Sequence, residues 1–89
     1  MPNESKRTLD KFVSAIYSSP DAALPVLYEA AVHNLPMCAR ADLIDYSEGF
    51  VNGLCFAIVT LLHREGISFD VEELCDALWD EYRRGECLL

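Results

Sequence analysis

A chain of 89 residues has room for one hydrophobic core and not for two, and its 52% apolar content can build that core without metal or disulfide staples. The net charge of −8 and a pI near 4.5 argue against direct docking on nucleic acid or an anionic membrane, since phosphate contacts are made by Lys and Arg. Acidic charge at this density serves solubility, and it also suits a chain that docks on a basic protein surface.

The first helix is expected over residues 5–18. Leu9, Phe12, Val13, Ile16 and Tyr17 recur at i, i+3, i+4, i+7 and i+8, which places them on one apolar stripe. This segment also holds Lys6, Arg7 and Lys11; from residue 12 onward four basic side chains face thirteen acidic ones. The leading residues run into an amphipathic segment rather than an apolar one, so no secretory signal is expected and a cytoplasmic location is the default. Ser18-Ser19-Pro20-Asp21 ends the helix, because a proline disfavours helical geometry at the residue before it.

A second helix is expected over 21–34, with Leu24, Leu27, Tyr28, Ala31, Val32 and Leu35 on one face. Pro25 complicates its start: inside a helix it would lose a backbone bond and clash with the carbonyl four residues back. Two outcomes are open, a short turn followed by a helix beginning near Leu24, or a kinked first turn.

The third helix is expected to be the longest, from 40 or 42 to 64, with Gly66 after it. It is apolar nearly all round from Phe50, which reads as a central, buried element. The run from Phe50 to Leu62 is broken by Asn52, Gly53 and Thr60 and falls short of the ~20 residues of a membrane span. Gly49, Gly53, Ala57 and Thr60 form a small-residue face. A glycine inside a helix costs ~1 kcal/mol relative to alanine, so two of them predict a close helix contact, either within the monomer or along a homodimer seam. Asp42, Asp45 and Glu48 read as a solvated helix start that complements the N-terminal dipole.

The fourth helix, over 70–84, is the best specified. Asp70 and Glu73 have capping-box spacing, Phe69 and Leu74 are placed as a hydrophobic staple, and Gly85 follows as a stop. Val71, Leu74, Cys75, Leu78 and Tyr82 fall on the expected core face. Glu72, Glu73, Asp76 and Asp80 stand opposite, with Trp79 at the border and Asp80 spaced to pair with Arg84. The fold expected from these elements is all-α, a compact bundle of about four helices forming a single domain over 1–89.

The chain shows no constellation for catalysis. Cys38, Cys55, Cys75 and Cys87 contain no C-x-x-C pair, and neither His33 nor His63 lies at zinc-knuckle spacing from a cysteine. The cysteines read as packing thiols and the histidines as residues near helix C-termini. No cofactor, no metal and no enzymatic activity are expected. The expected role is a small acidic protein-binding module that docks on a basic site of a larger partner through Glu72, Glu73, Asp76 and Asp80, with Trp79 as apolar anchor. By analogy of size and charge alone it is similar to phage and mobile-element inhibitors, and the expected role includes blocking a nucleic-acid-binding surface of a host protein. The alternative is a homodimeric structural or chaperone-like adaptor that uses the groove beside Gly49, Gly53 and Ala57; both monomer and homodimer are open.

Overall fold

The computed structural model describes residues 4–36, 44–85 and 88, with 44–48 as backbone only. Four helices make up the described chain, and no strand occurs among these residues: α1 (Glu4–Ser18), α2 (Ala23–Asn34), α3 (Ile44–Arg64) and α4 (Val71–Arg83). The radius of gyration is 12.6 Å, close to the ~12 Å of a compact chain of this length. The main packing pairs α1 with α4 and α2 with α3, and α3–α4 and α1–α2 contacts are lesser.

Each boundary has a local cause. The Ser19 hydroxyl accepts from Asp21 N–H at 3.0 Å, and Asp21 Oδ1 accepts from Ala23 N–H at 3.0 Å. These bonds form a short turn, after which α2 begins at Ala23 with Pro25 inside its first turn. Backbone N–H groups there have no intrahelical partner, so Pro25 removes no helical bond and causes no kink. At the end of α3, Gly66 takes φ +85°, its N–H bonds His63 O at 3.0 Å, and Ile67 N–H bonds Leu62 O at 3.0 Å. This is the double bond of a Schellman cap, which needs the left-handed conformation that glycine supplies. Asp70 caps α4 with extended backbone geometry, its Oδ1 accepting from Glu72 N–H at 2.8 Å. The Ser19 hydroxyl also donates to Glu65 Oε2 at 2.6 Å, which ties the α1–α2 turn to the α3–α4 turn.

The core forms where the inner faces meet. Leu9, Phe12 and Ile16 of α1 pack with Leu24, Tyr28 and Ala31 of α2, Val51, Cys55, Ile58 and Leu62 of α3, and Leu74, Ala77 and Leu78 of α4. Phe12 meets Tyr28 edge-on with ring centres 6.1 Å apart, and Phe69 edge-on at 5.4 Å. The Tyr28 hydroxyl donates to Leu88 O at 2.7 Å, and Leu88 is itself buried in the core. Tyr17, expected in the α1 stripe, is 51% exposed and only touches the edge of Tyr28.

Two expectations for α3 are corrected. At 21 residues it is the longest described helix, as expected, though by less than two turns over α1, and it is not encased. Among the described side chains of α3, the Val51–Cys55–Ile58–Leu62 side is buried, while Phe50 and Phe56 are 43% and 63% exposed. A bundle of four helices leaves each one a solvent side, even where the sequence is apolar all round. The described residues also make no close intramolecular approach at Gly49 or Gly53, where one was expected along with Ala57. A methyl group added at Gly49 or Gly53 would meet nothing within 4 Å among the described residues, and Ala57 is half-buried. The expected start of this helix at 40 or 42, with Asp42, Asp45 and Glu48, lies outside what is described of the chain or of its side chains.

Two substitutions check this architecture. Gly53→Ala adds a methyl to open space and removes backbone freedom from the unfolded chain, so it should stabilise the protein by about 0.5–1 kcal/mol. Thermal melting followed by circular dichroism should show a raised Tm; a lowered one would restore the close-contact reading. Tyr28→Phe removes the bond to Leu88 and should cost about 1 kcal/mol in urea unfolding.

Candidate protein-docking surface

The residues expected to bind a partner occupy α4, and the fold divides them. Helical spacing places Glu72 and Asp76, four apart, on the flank of α4 that faces α3. Both are exposed. With Asn52 and Phe56 of α3, and Val71 and Cys75 of α4, they line an open cavity of about 360 Å³. Glu73, also exposed, lies seven residues before Asp80, and this second pair turns toward α1. There Asp80 is engaged: a hydrogen bond from Ser5 of α1, aided by the Arg84 and Arg83 charges, holds its carboxyl below the usual aspartate value. Arg84 Nε approaches Asp80 Oδ2 at 3.2 Å, the i, i+4 pair read from the spacing. Asp80 is therefore partly neutralised by its own neighbours.

Trp79 is half-buried. Its ring meets Tyr82 edge-on at 6.3 Å and packs against the core, so much of its apolar surface is already used within the chain. Phe56 is the side chain that the sequence reading missed. It is 63% exposed and stands across the cavity from Glu72 and Asp76. A signal for it existed, since Gly49, Gly53, Phe56 and Thr60 recur at i, i+4, i+7 and i+11. Phe56 thus shares the outer face of α3 with the small residues.

The core face of α4 is rotated from the expected one. Leu74, Ala77, Leu78 and Glu81 are buried, whereas Val71, Cys75 and Tyr82 are only partly covered. Glu81, despite its charge, is 1% exposed, with its Oε2 3.9 Å from Arg84 Nε. The outward negative charge of α4 is correspondingly concentrated at Glu72, Glu73 and Asp76.

Cys75 forms part of the cavity wall, and Cys55 of α3 is buried. Both are free thiols; Cys38 and Cys87 lie outside the described residues. The Cys55 thiol is pushed up, first by its hydrogen bond to Cys75 and then by burial. That same bond, donated by Cys55, lowers Cys75 against the opposing effects of burial and the Asp76 charge.

A second groove, of about 390 Å³, runs past Ser14, Ser18, Ser19 and Pro20 to Ile67 and Phe69. Its one carboxylate, Glu65, is engaged by Ser19, so it lacks the outward charge of the α3–α4 cavity. His33 and His63 are exposed in the last turns of α2 and α3. No helix of the described residues is long and apolar enough to cross a membrane. No family model matches the chain, and comparisons with curated proteins and with solved structures each return no match.

Proposed function

We propose that this protein is a small acidic protein-binding module that docks on a basic site of a larger partner and inhibits that partner by occupying the site. A surface that otherwise holds nucleic acid is the natural target, because its cations are arranged to meet a row of negative charges. The observation that carries this reading is the exposed Phe56 ring set against Glu72 and Asp76 around one open cavity. Carboxylates without nearby cations give a field that speeds encounter with a basic patch. An aromatic ring desolvated beside them then slows dissociation. Phe56 takes the anchoring role first assigned to Trp79, whose ring is already packed against its own chain. Glu73 contributes long-range charge from the α1 side, where Asp80 is already paired with Arg84.

The test begins with affinity capture of the partner from source or host lysate, followed by binding kinetics at several ionic strengths. Reversing Glu72 and Asp76 to lysine should abolish binding and leave the helical circular-dichroism spectrum intact. Phe56→Ala should weaken Kd by roughly thirtyfold, about 2 kcal/mol, mainly through a faster off-rate. Binding by the native chain should fall steeply as salt rises. Unchanged capture by the double reversal would make the acidic surface merely solvating.

A second reading, a homodimeric adaptor, draws on the exposure of both Phe50 and Phe56 beside the open Gly49 and Gly53 backbone. Light scattering after size exclusion separates the two. The docking module should elute as a monomer, and a dimer that Gly53→Leu converts to folded monomer would favour the adaptor.

A further inference from the structure

We infer that the cavity between α3 and α4 receives a single arginine side chain of the basic partner, with the guanidinium plane laid on the Phe56 ring and its edge bonded by Glu72 and Asp76. The inference rests on the docking role and names the chemical group that this role must read. The two helices offer different surfaces to the cavity. On α3, Asn52 and Phe56 stand four residues apart and both are exposed. On α4, Val71 and Cys75 stand four apart and are partly buried, so they form an apolar wall. Glu72 and Asp76, one position further round, are exposed and carry the charge. Residues four apart lie about 6 Å along a helix axis, so each pair spans little more than one turn. The volume of about 360 Å³ stands at the small end of the ~300–1,000 Å³ of ligand pockets, the scale of one extended side chain rather than of a docked helix.

Three properties of the cavity select this occupant. Its two carboxylates have no cation among the six lining residues, so a positive charge complements them. Phe56, Val71 and Cys75 give it apolar walls, and a guanidinium sheds water more readily than the compact, strongly hydrated ammonium of lysine. The Phe56 ring is 63% exposed, which leaves a π-face on which a planar cation can lie. Stacking uses the face of the guanidinium, while its five N–H donors project from the edge. They remain free to reach Glu72, Asp76 and the side-chain carbonyl of Asn52. An ammonium cannot divide its contacts in this way, because its three donors project from one nitrogen. A second copy of the chain is a poor occupant, since two bodies of charge −8 repel.

Amide NMR spectra of the isotope-labelled full chain, titrated with N-acetyl-arginine methylamide and with its lysine and citrulline counterparts, test the inference. The arginine compound should shift Asn52, Phe56, Glu72 and Asp76 saturably and bind about three- to fivefold more tightly than the lysine compound. Its side-chain methylenes should give nuclear Overhauser contacts to the Phe56 ring. Neutral citrulline should leave these residues unmoved. Phe56→Leu keeps the apolar bulk and should bring the arginine affinity down to that of lysine. Glu72→Gln combined with Asp76→Asn should weaken both compounds by about tenfold or more. If a variant loses its helical spectrum, the Overhauser contacts in the native chain decide. No saturable shift, shifts away from the cavity, or the same shifts with calcium chloride would overturn the inference. Equal affinities for arginine and lysine would also overturn it, and would leave the docking role standing. Failure of the docking role reads differently: the captured partner would bind the double lysine reversal normally, and the inference would fall with that role even if the arginine compound bound.

Discussion

The contact of Phe12 with Tyr28 and Phe69 is the junction on which the arrangement of the other elements depends. Phe12 comes from α1, Tyr28 from α2 and Phe69 from the connection between α3 and α4, so three segments distant in sequence meet at one cluster of rings. Edge-to-face rings add ~0.5–1.5 kcal/mol per pair to the large apolar area they bury. The Tyr28 hydroxyl extends the junction to Leu88, satisfying a polar group that would be costly to bury alone. Through Phe69 the same cluster sets where α4 begins, since Asp70 caps the helix at the next residue. The acidic helix is thus anchored at its start by aromatic packing and immediately past its cap by Leu74, fully buried.

That anchoring decides which charges face outward. The buried line of α4 runs Leu74, Ala77, Leu78 and Glu81, so a carboxylate fills a position that spacing alone gives to an apolar residue. Ser5 and Arg84 engage Asp80 on the α1 side. Glu72 and Asp76 are left on the cavity side with no cation among the six residues that line it. A salt-sensitive docking surface follows from this division more than from the net charge, because a paired or buried carboxylate contributes little to the field a partner meets.

The same cavity brings a thiol and an aromatic ring to the surface beside the carboxylates. The ring stands there because α3 presents one buried side and one open side. Cys55 belongs to the first, Phe56 to the second, though they are adjacent in the chain. Neighbouring residues on a helix point about 100° apart, which is enough to separate core from solvent.

The sequence by itself determined the elements and their ends. The 3.6-residue stripes placed all four helices, Asp70 marked the start of α4, and Gly66 and Gly85 marked stops that the backbone realises with positive φ. These signals are local: a cap or a left-handed residue acts on chain neighbours and is legible wherever it occurs. Only the tertiary structure decided which side of each helix was covered. Tyr17 and Phe56 were left to solvent, Glu81 went inside, and the two glycines of α3 faced open space. Periodicity defines a stripe but leaves its rotation loose by a residue or so. An apolar stripe wider than its neighbour has no preferred centre until the partner helix docks, and contacts between helices are fixed only then.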